Sequence, residues 1–248
     1  MEVAEQTQAI DKRARLRLVA DRVAPLALAQ ERTLPVLESL AGLFPEGGLR
    51  RGSVIAVEGI GATSLALAVA AGPSVSGSWT AVVGDPGIGL AAAEEAGVVL
   101  ERLLMIEPPS SGSSDKSAAS AVAALVGAVD VVMIGPGVRL RPADSRRLSA
   151  RMRERGSVII RVGGIDAPGV DVGLRIVESE WTGLGAGHGL LRARRIRIET
   201  QGRGASSRPR AGALLLPGPQ GAPIALGEKA AGEKAAGEKA PGKLRALA

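Results

Sequence analysis

Residues 57–72, VEGIGATSLALAVAAG, run from an apolar β-type stretch through a glycine turn into an apolar helical one. A strand that turns over glycine into a helix opens a βαβ unit, and that commits a chain to a parallel sheet with right-handed crossovers. It is also the layout of a P-loop, G-x-x-x-x-G-K-[ST]. There, backbone N–H groups wrap the phosphates, the lysine reaches them and the hydroxyl binds Mg²⁺.

The fit to that motif is incomplete. With Thr63 on the hydroxyl position and Ser64 after it, Ala62 stands where the lysine belongs and Gly61 on the second glycine. The first glycine would then fall on Ala56, inside the strand. Gly59 is the nearest glycine, which leaves the loop three residues short. A loop that short cannot encircle a diphosphate. What remains is the attraction of a helix N-terminus for an anion, worth a few tenths to about 1 kcal/mol. Gly59, Gly61, Ala62, Thr63 and Ser64 therefore read as a degenerate P-loop.

Around this unit the periodicity alternates. Strands are expected at 54–59, 79–84, 100–107, 130–135 and 157–163, and helices at 63–71, 88–97, 118–129 and 142–155. Two more β-type runs, VGLRIVE (172–178) and LLRARRIRIET (190–200), have no helix between them and read as antiparallel additions at the sheet's edge. Upstream, 8–24 reads as a helix, and Thr33 as the cap of a second one, TLPVLESLAGLF. A short strand is expected at 213–216. The GEKAA repeat then cannot bury enough apolar surface to offset its ordering entropy. The expected organisation is an N-terminal helical segment (1–44), an α/β domain (45–217) and a disordered tail (218–248).

With one Phe, two Trp and no Tyr, the core must be aliphatic. The absence of cysteine excludes disulfides, thiolate metal sites and cysteine nucleophiles, and fits a reducing cytoplasm. The longest apolar stretch, 54–72, contains Glu58 and several glycines and fails as a membrane span. Residues 1–20 lack a signal core, so a cytoplasmic location is expected. His188 is the sole histidine, which argues against a metal site. Asp85, Glu94, Glu95 and Glu107 come from different elements and read as solvated, and no serine sits in a G-x-S-x-G turn. Neither a catalytic residue nor a cofactor is expected.

The net charge of +6 draws such a chain toward nucleic acid or acidic partners. Two arginine clusters carry it. Helix 142–155 holds Arg146, Arg147, Arg151, Arg153 and Arg155, with Leu148 and Met152 facing inward. In the run 190–200, Arg195, Arg197 and Glu199 share one face, while Leu190, Arg192, Arg194, Ile196 and Ile198 share the other. Either cluster could track a phosphate backbone, and either could be a solvated face, the strand's charges guarding an edge. Arg203 and Trp181 are further candidates for DNA or partner contact, since Trp and Arg dominate binding hot spots.

The lead-in FPEGGLRRGSVIAVEG and the following TSLALAVAAG resemble the RecA recombinase core. GSWTAVVGDPGIGLAAAEEAGVVLERLLMIEP and AVDVVMIGPGVRL are similar to the next RecA strands, the second of them to the Walker-B strand. The resemblance covers roughly residues 45–165. It departs at the catalytic positions: Ala62 for the lysine, Gly135 where the Walker-B aspartate should stand, and Pro86 or Gly87 for the catalytic glutamate. Within that superfamily, GGLRRGSVIAVEG, GATSLALA and EWTGLGAGHGLLRARRIRIETQGRG resemble the actinobacterial ImuA′ proteins. This implies a non-catalytic partner of an ImuB-type Y-family-like protein, acting with an error-prone DnaE-type polymerase in damage-induced translesion DNA synthesis. A divergent RecA-type ATPase and a regulator of RecA filaments remain as alternatives.

Overall fold

The computed structural model describes residues 32–85, 87–107, 114–184 and 188–227. The expected helix 8–24 and most of the expected tail lie outside them.

The first unit forms as its pattern dictates. Strand β3 (Val54–Glu58) leads through glycine into helix α2 (Ala62–Val75). That helix is built of Ala, Leu, Val and Gly, and it is buried almost all round, Pro73 included. Its small residues permit this: a Cβ added to Gly72 would collide with the backbone of Val36 and Leu37. The remaining elements follow as β4 (Thr80–Val83), α3 (Leu90–Glu95), β5 (Leu103–Ile106), α4 (Ser114–Leu125), β6 (Val131–Ile134), α5 (Pro142–Arg155) and β7 (Val158–Val162). Helix α5 has Pro142 in its first turn and Gly156 beyond its end at φ 74°, the expected start and stop.

After these come β8 (Val172–Leu184), β9 (Gly189–Gly202), β10 (Ala211–Leu215) and β11 (Ile224–Leu226). The nine-stranded sheet has the order β11-β10-β9-β8-β3-β7-β6-β4-β5. Strands β8 through β5 in that order run parallel, and β9 to β11 add antiparallel at one side. Val131, Met133, Val158 and Ile160 face the layer of α2, while Val132, Ile134 and Ile159 cluster with Val122 of α4 and with Leu148 and Met152 of α5. The fold is thus a mostly parallel sheet between two helical layers.

Two expectations are corrected. Thr33 does not cap a helix: Thr33–Pro35 is strand β1, paired antiparallel with β2 (Gly48–Arg50), and only Glu38–Ala41 (α1) is α-helical in that segment. Leu34 lies opposite Leu49, and both are buried in the core around α2. Burying that cross-strand pair outweighs a helical spacing of leucines. Residues 32–44 therefore belong to the α/β unit and are no separate helical segment. At the other end, order continues past 217. Gly218 and Gly221 bridge a turn, and Ile224–Leu226 pair with Ala213–Leu215.

Candidate functional site

Strands β3 and β4 are consecutive parallel strands of the chain, yet β7 and β6 lie between them. In an open α/β sheet, the carboxyl ends of strands at such a switch of order form the ligand crevice. Glu58, Gly59, Gly61, Asp85, Gly135 and Arg161 all lie at or just beyond those ends.

The turn after β3 is tight. Gly59 and Gly61 have φ of 109° and 89°, conformations that favour glycine. The Ala62 N–H donates to the Gly59 carbonyl and the Leu65 N–H to that of Gly61, each at 3.1 Å. Gly61 caps α2 without a side-chain hydrogen bond, and the N–H groups of Thr63 and Ser64 find no acceptor among the described residues. A Cβ on Gly59 would strike the Ile176 carbonyl of β8; one on Gly61 would fall among the guanidinium atoms of Arg194. An arginine of β9 therefore packs on the residue where a P-loop would hold phosphate.

Arg194 is 5% exposed. Its Nε donates to the Leu216 carbonyl at 2.7 Å, and its guanidinium lies over the ring of Trp181, 5.4 Å from the centroid. Its Nη2 is buried with no hydrogen-bond partner. Burial pushes the pKa of the guanidinium down. Alternation puts Arg194 on the face of Ile196 and Ile198 and assigns it no role; a charge directly in line with two apolar residues is the available signal.

The third glycine of the crevice, Gly135, is fixed by a neighbour. A Cβ on Gly135 would meet the Gly84 carbonyl and the Asp85 side chain, so an aspartate at that position needs the adjacent strand end to move. Asp85 itself is half-buried, not the solvated acid expected. One carboxylate oxygen is buried without a donor, and burial raises its pKa against the lowering effect of a Gly87 N–H bond. Glu58 accepts the Ile165 N–H at 3.2 Å and so braces the strand end. Arg161, at the end of β7, has a buried Nε without a partner and a pKa lowered by burial. Glu94, Glu95 and Glu107 are exposed, as expected.

The other candidates scatter. Arg146, Arg147 and Arg151 project from α5. Arg195 and Arg197 share the outer face of β9, and Arg197 is paired with Glu178 at 2.9 Å and Glu199 at 2.7 Å. Those pairings hold the Arg197 pKa up, the Glu178 hydrogen bond first among them. Arg203 lies at the opposite end of the sheet, in a cleft lined by Glu46, Asp171 and Ser206. Trp181 does join the crevice. β8 pairs with β3 only as far as Arg175 opposite Glu58; beyond that, β8 and β9 rise as a ribbon exposing Trp181, Leu184, Leu190 and Leu191, with Ile60 exposed on the turn.

Residues 42–169, just over half of the chain, match the model of the MT3502 N-terminal domain. The chain belongs to the MT3502 N-terminal domain family. A Mycobacterium tuberculosis relative, described as the uncharacterized protein Rv3395c, is 36% identical over 150 residues, covering 58% of this chain and 71% of that protein. In fold, the family member resembles the crystal structure of the flagellar accessory protein FlaH from Methanocaldococcus jannaschii, with a TM-score of 0.50 and 11% identity over 79% of this chain and 98% of the other. The fold is RecA-like. The family match ends at 169, so the β8–β9 ribbon and Arg194 lie beyond it. No helix among the described residues is long and apolar enough to cross a membrane.

Proposed function

We propose that this member of the MT3502 N-terminal domain family is a non-catalytic RecA-like accessory protein of damage-induced translesion synthesis, of the ImuA′ kind. It holds an ImuB-type Y-family-like protein and, through it, an error-prone DnaE-type polymerase. The observation that carries the reading is the Arg194 guanidinium packed on Gly61, which leaves no room for a loop wrapped around a nucleotide's polyphosphate at that glycine. Ala62 and Gly135 remove the lysine and the aspartate that phosphoryl chemistry uses. The exposed apolar residues of the ribbon supply a partner surface in their place.

Co-purification of the full chain with an ImuB-type protein tests this. Capture is expected, and Trp181→Ala combined with Leu184→Ala should reduce it at least tenfold. Wild-type chain that captures no partner would end the reading. One observation favours the divergent ATPase instead: Asp85 stands beside Gly135 and brings an acid to the place of the missing one. Calorimetry with Mg-ATP separates the two, since a micromolar dissociation constant would select the ATPase.

A further inference from the structure

Two positive ends meet at the turn. The amino end of α2 carries roughly half a positive charge, and the Arg194 guanidinium is held against its cap residue, Gly61. Helix N-termini favour anions, so a cation seated there is out of place unless an acceptor joins it. The donors are also unsatisfied. Nη2 of Arg194 is buried without a partner, and the Thr63 and Ser64 N–H groups have no acceptor among the described residues. A buried donor left unpaired costs free energy that an incoming acceptor recovers. Meanwhile Nε on Leu216 and the ring of Trp181 fix the guanidinium in place, so the arrangement is pre-set.

We infer that Arg194 and the amino end of α2 form a binding site for a single carboxylate presented by a protein partner. The inference rests on the partner-binding reading above and names the chemistry of that partner. A carboxylate has two oxygens, which can accept from the unpaired Nη2 of Arg194 and from the two helix amides; hydrogen bonds between a guanidinium and a carboxylate are charge-assisted and among the strong ones. The rim is apolar. Ile60, Trp181 and Leu184 are exposed around the turn and ribbon, which suits an acidic side chain flanked by apolar residues better than a nucleotide's phosphates.

The test uses the full chain and sodium acetate at constant ionic strength, with inorganic phosphate in parallel. In ¹⁵N NMR, acetate should saturably shift the Thr63 and Ser64 amides and the Arg194 Nε–H, a readout that needs no variant. In a Trp79→Phe background, Trp181 fluorescence should report the same titration, and Arg194→Gln should weaken it at least tenfold. Acetate that leaves those amides unmoved would overturn the site, and phosphate binding tenfold tighter than acetate would overturn its assignment to a carboxylate. Neither result depends on capture of the ImuB-type protein, so the site and the functional reading fail separately.

Discussion

On α5, Arg146, Arg147 and Arg151 project from a helix whose inner face is Leu148 and Met152, and no carboxylate pairs with them among the described residues. On β9, Arg197 lies between Glu178 and Glu199 and Arg195 stands opposite Glu180; on β8, Arg175 pairs with Asp166 of the loop before that strand. The two elements have similar arginine content and opposite electrostatics. A strand meets a neighbour in register and can find an acid directly opposite. A docked helix turns its outer residues away from everything. A run of arginines is therefore a basic surface on α5 and a charge-matched ladder on β9, with Arg194, on the inner face, in a third situation.

The largest effect expected from breaking this contrast is on the anchor of α5. Met152 is fully buried, and Met152→Ala should cost about 2–5 kcal/mol in urea denaturation. A cost under 1 kcal/mol would mean that α5 is not held in the way described. Next comes single-stranded DNA. If α5 is the basic surface, replacing Arg146, Arg147 and Arg151 by Ala should reduce the salt slope of binding by about 2, roughly a tenfold loss of affinity at low salt. Arg195→Ala with Arg197→Ala should leave that slope unchanged, and a slope that falls as far for the strand pair breaks the comparison.

Asp85 gives a smaller effect, an acid with one buried oxygen lacking a donor, to set beside arginines that have carboxylate partners. Because burial raises its folded pKa, the folded state holds the proton more tightly than the unfolded chain. That contribution is present below about pH 4 and is lost as pH rises through the folded value. Asp85→Asn should therefore raise the melting temperature at pH 7, with the gain shrinking as pH falls toward 4; a gain constant with pH would exclude titration as its cause. Smallest of all, Arg197→Ala should leave the thermal midpoint unchanged within error, since the ladder it leaves is exposed.

The parts of the fold legible in the sequence are those set by local rules. Pro142 and Gly156 bound α5 at the residues expected, and the faces of β9 alternate as expected from Arg194 to Thr200, while Leu190 and Arg192, grouped with Ile196 and Ile198 by alternation, are exposed on the ribbon. β1 was not legible, because Leu34, Leu37 and Leu40 satisfy a helical spacing and only the distant Leu49 turns the segment into a strand. The same holds for β11, whose Ile224–Leu226 is too short to signal itself without β10 beside it. At the site, the departures of the turn from a P-loop are visible residue by residue in the sequence. What packs on it is not: Arg194 reaches Gly61, and Asp85 reaches Gly135, only through strand neighbours that the sheet order supplies.

The pairing of the chain's two described ends has a consequence for its synthesis. Leu34, Leu40, Leu43 and Phe44 share one core with Leu214 and Leu216, and Gly212 packs on Leu43. At an elongation rate of about 5–20 residues per second, the early leucines wait roughly 10–35 s for the late ones to be made. During that interval the nascent chain must carry an apolar flank with nothing to cover it. A ribosome-stalled chain ending at Gly202 should accordingly be cut by protease within residues 33–50, whereas one with residue 227 clear of the exit tunnel should resist.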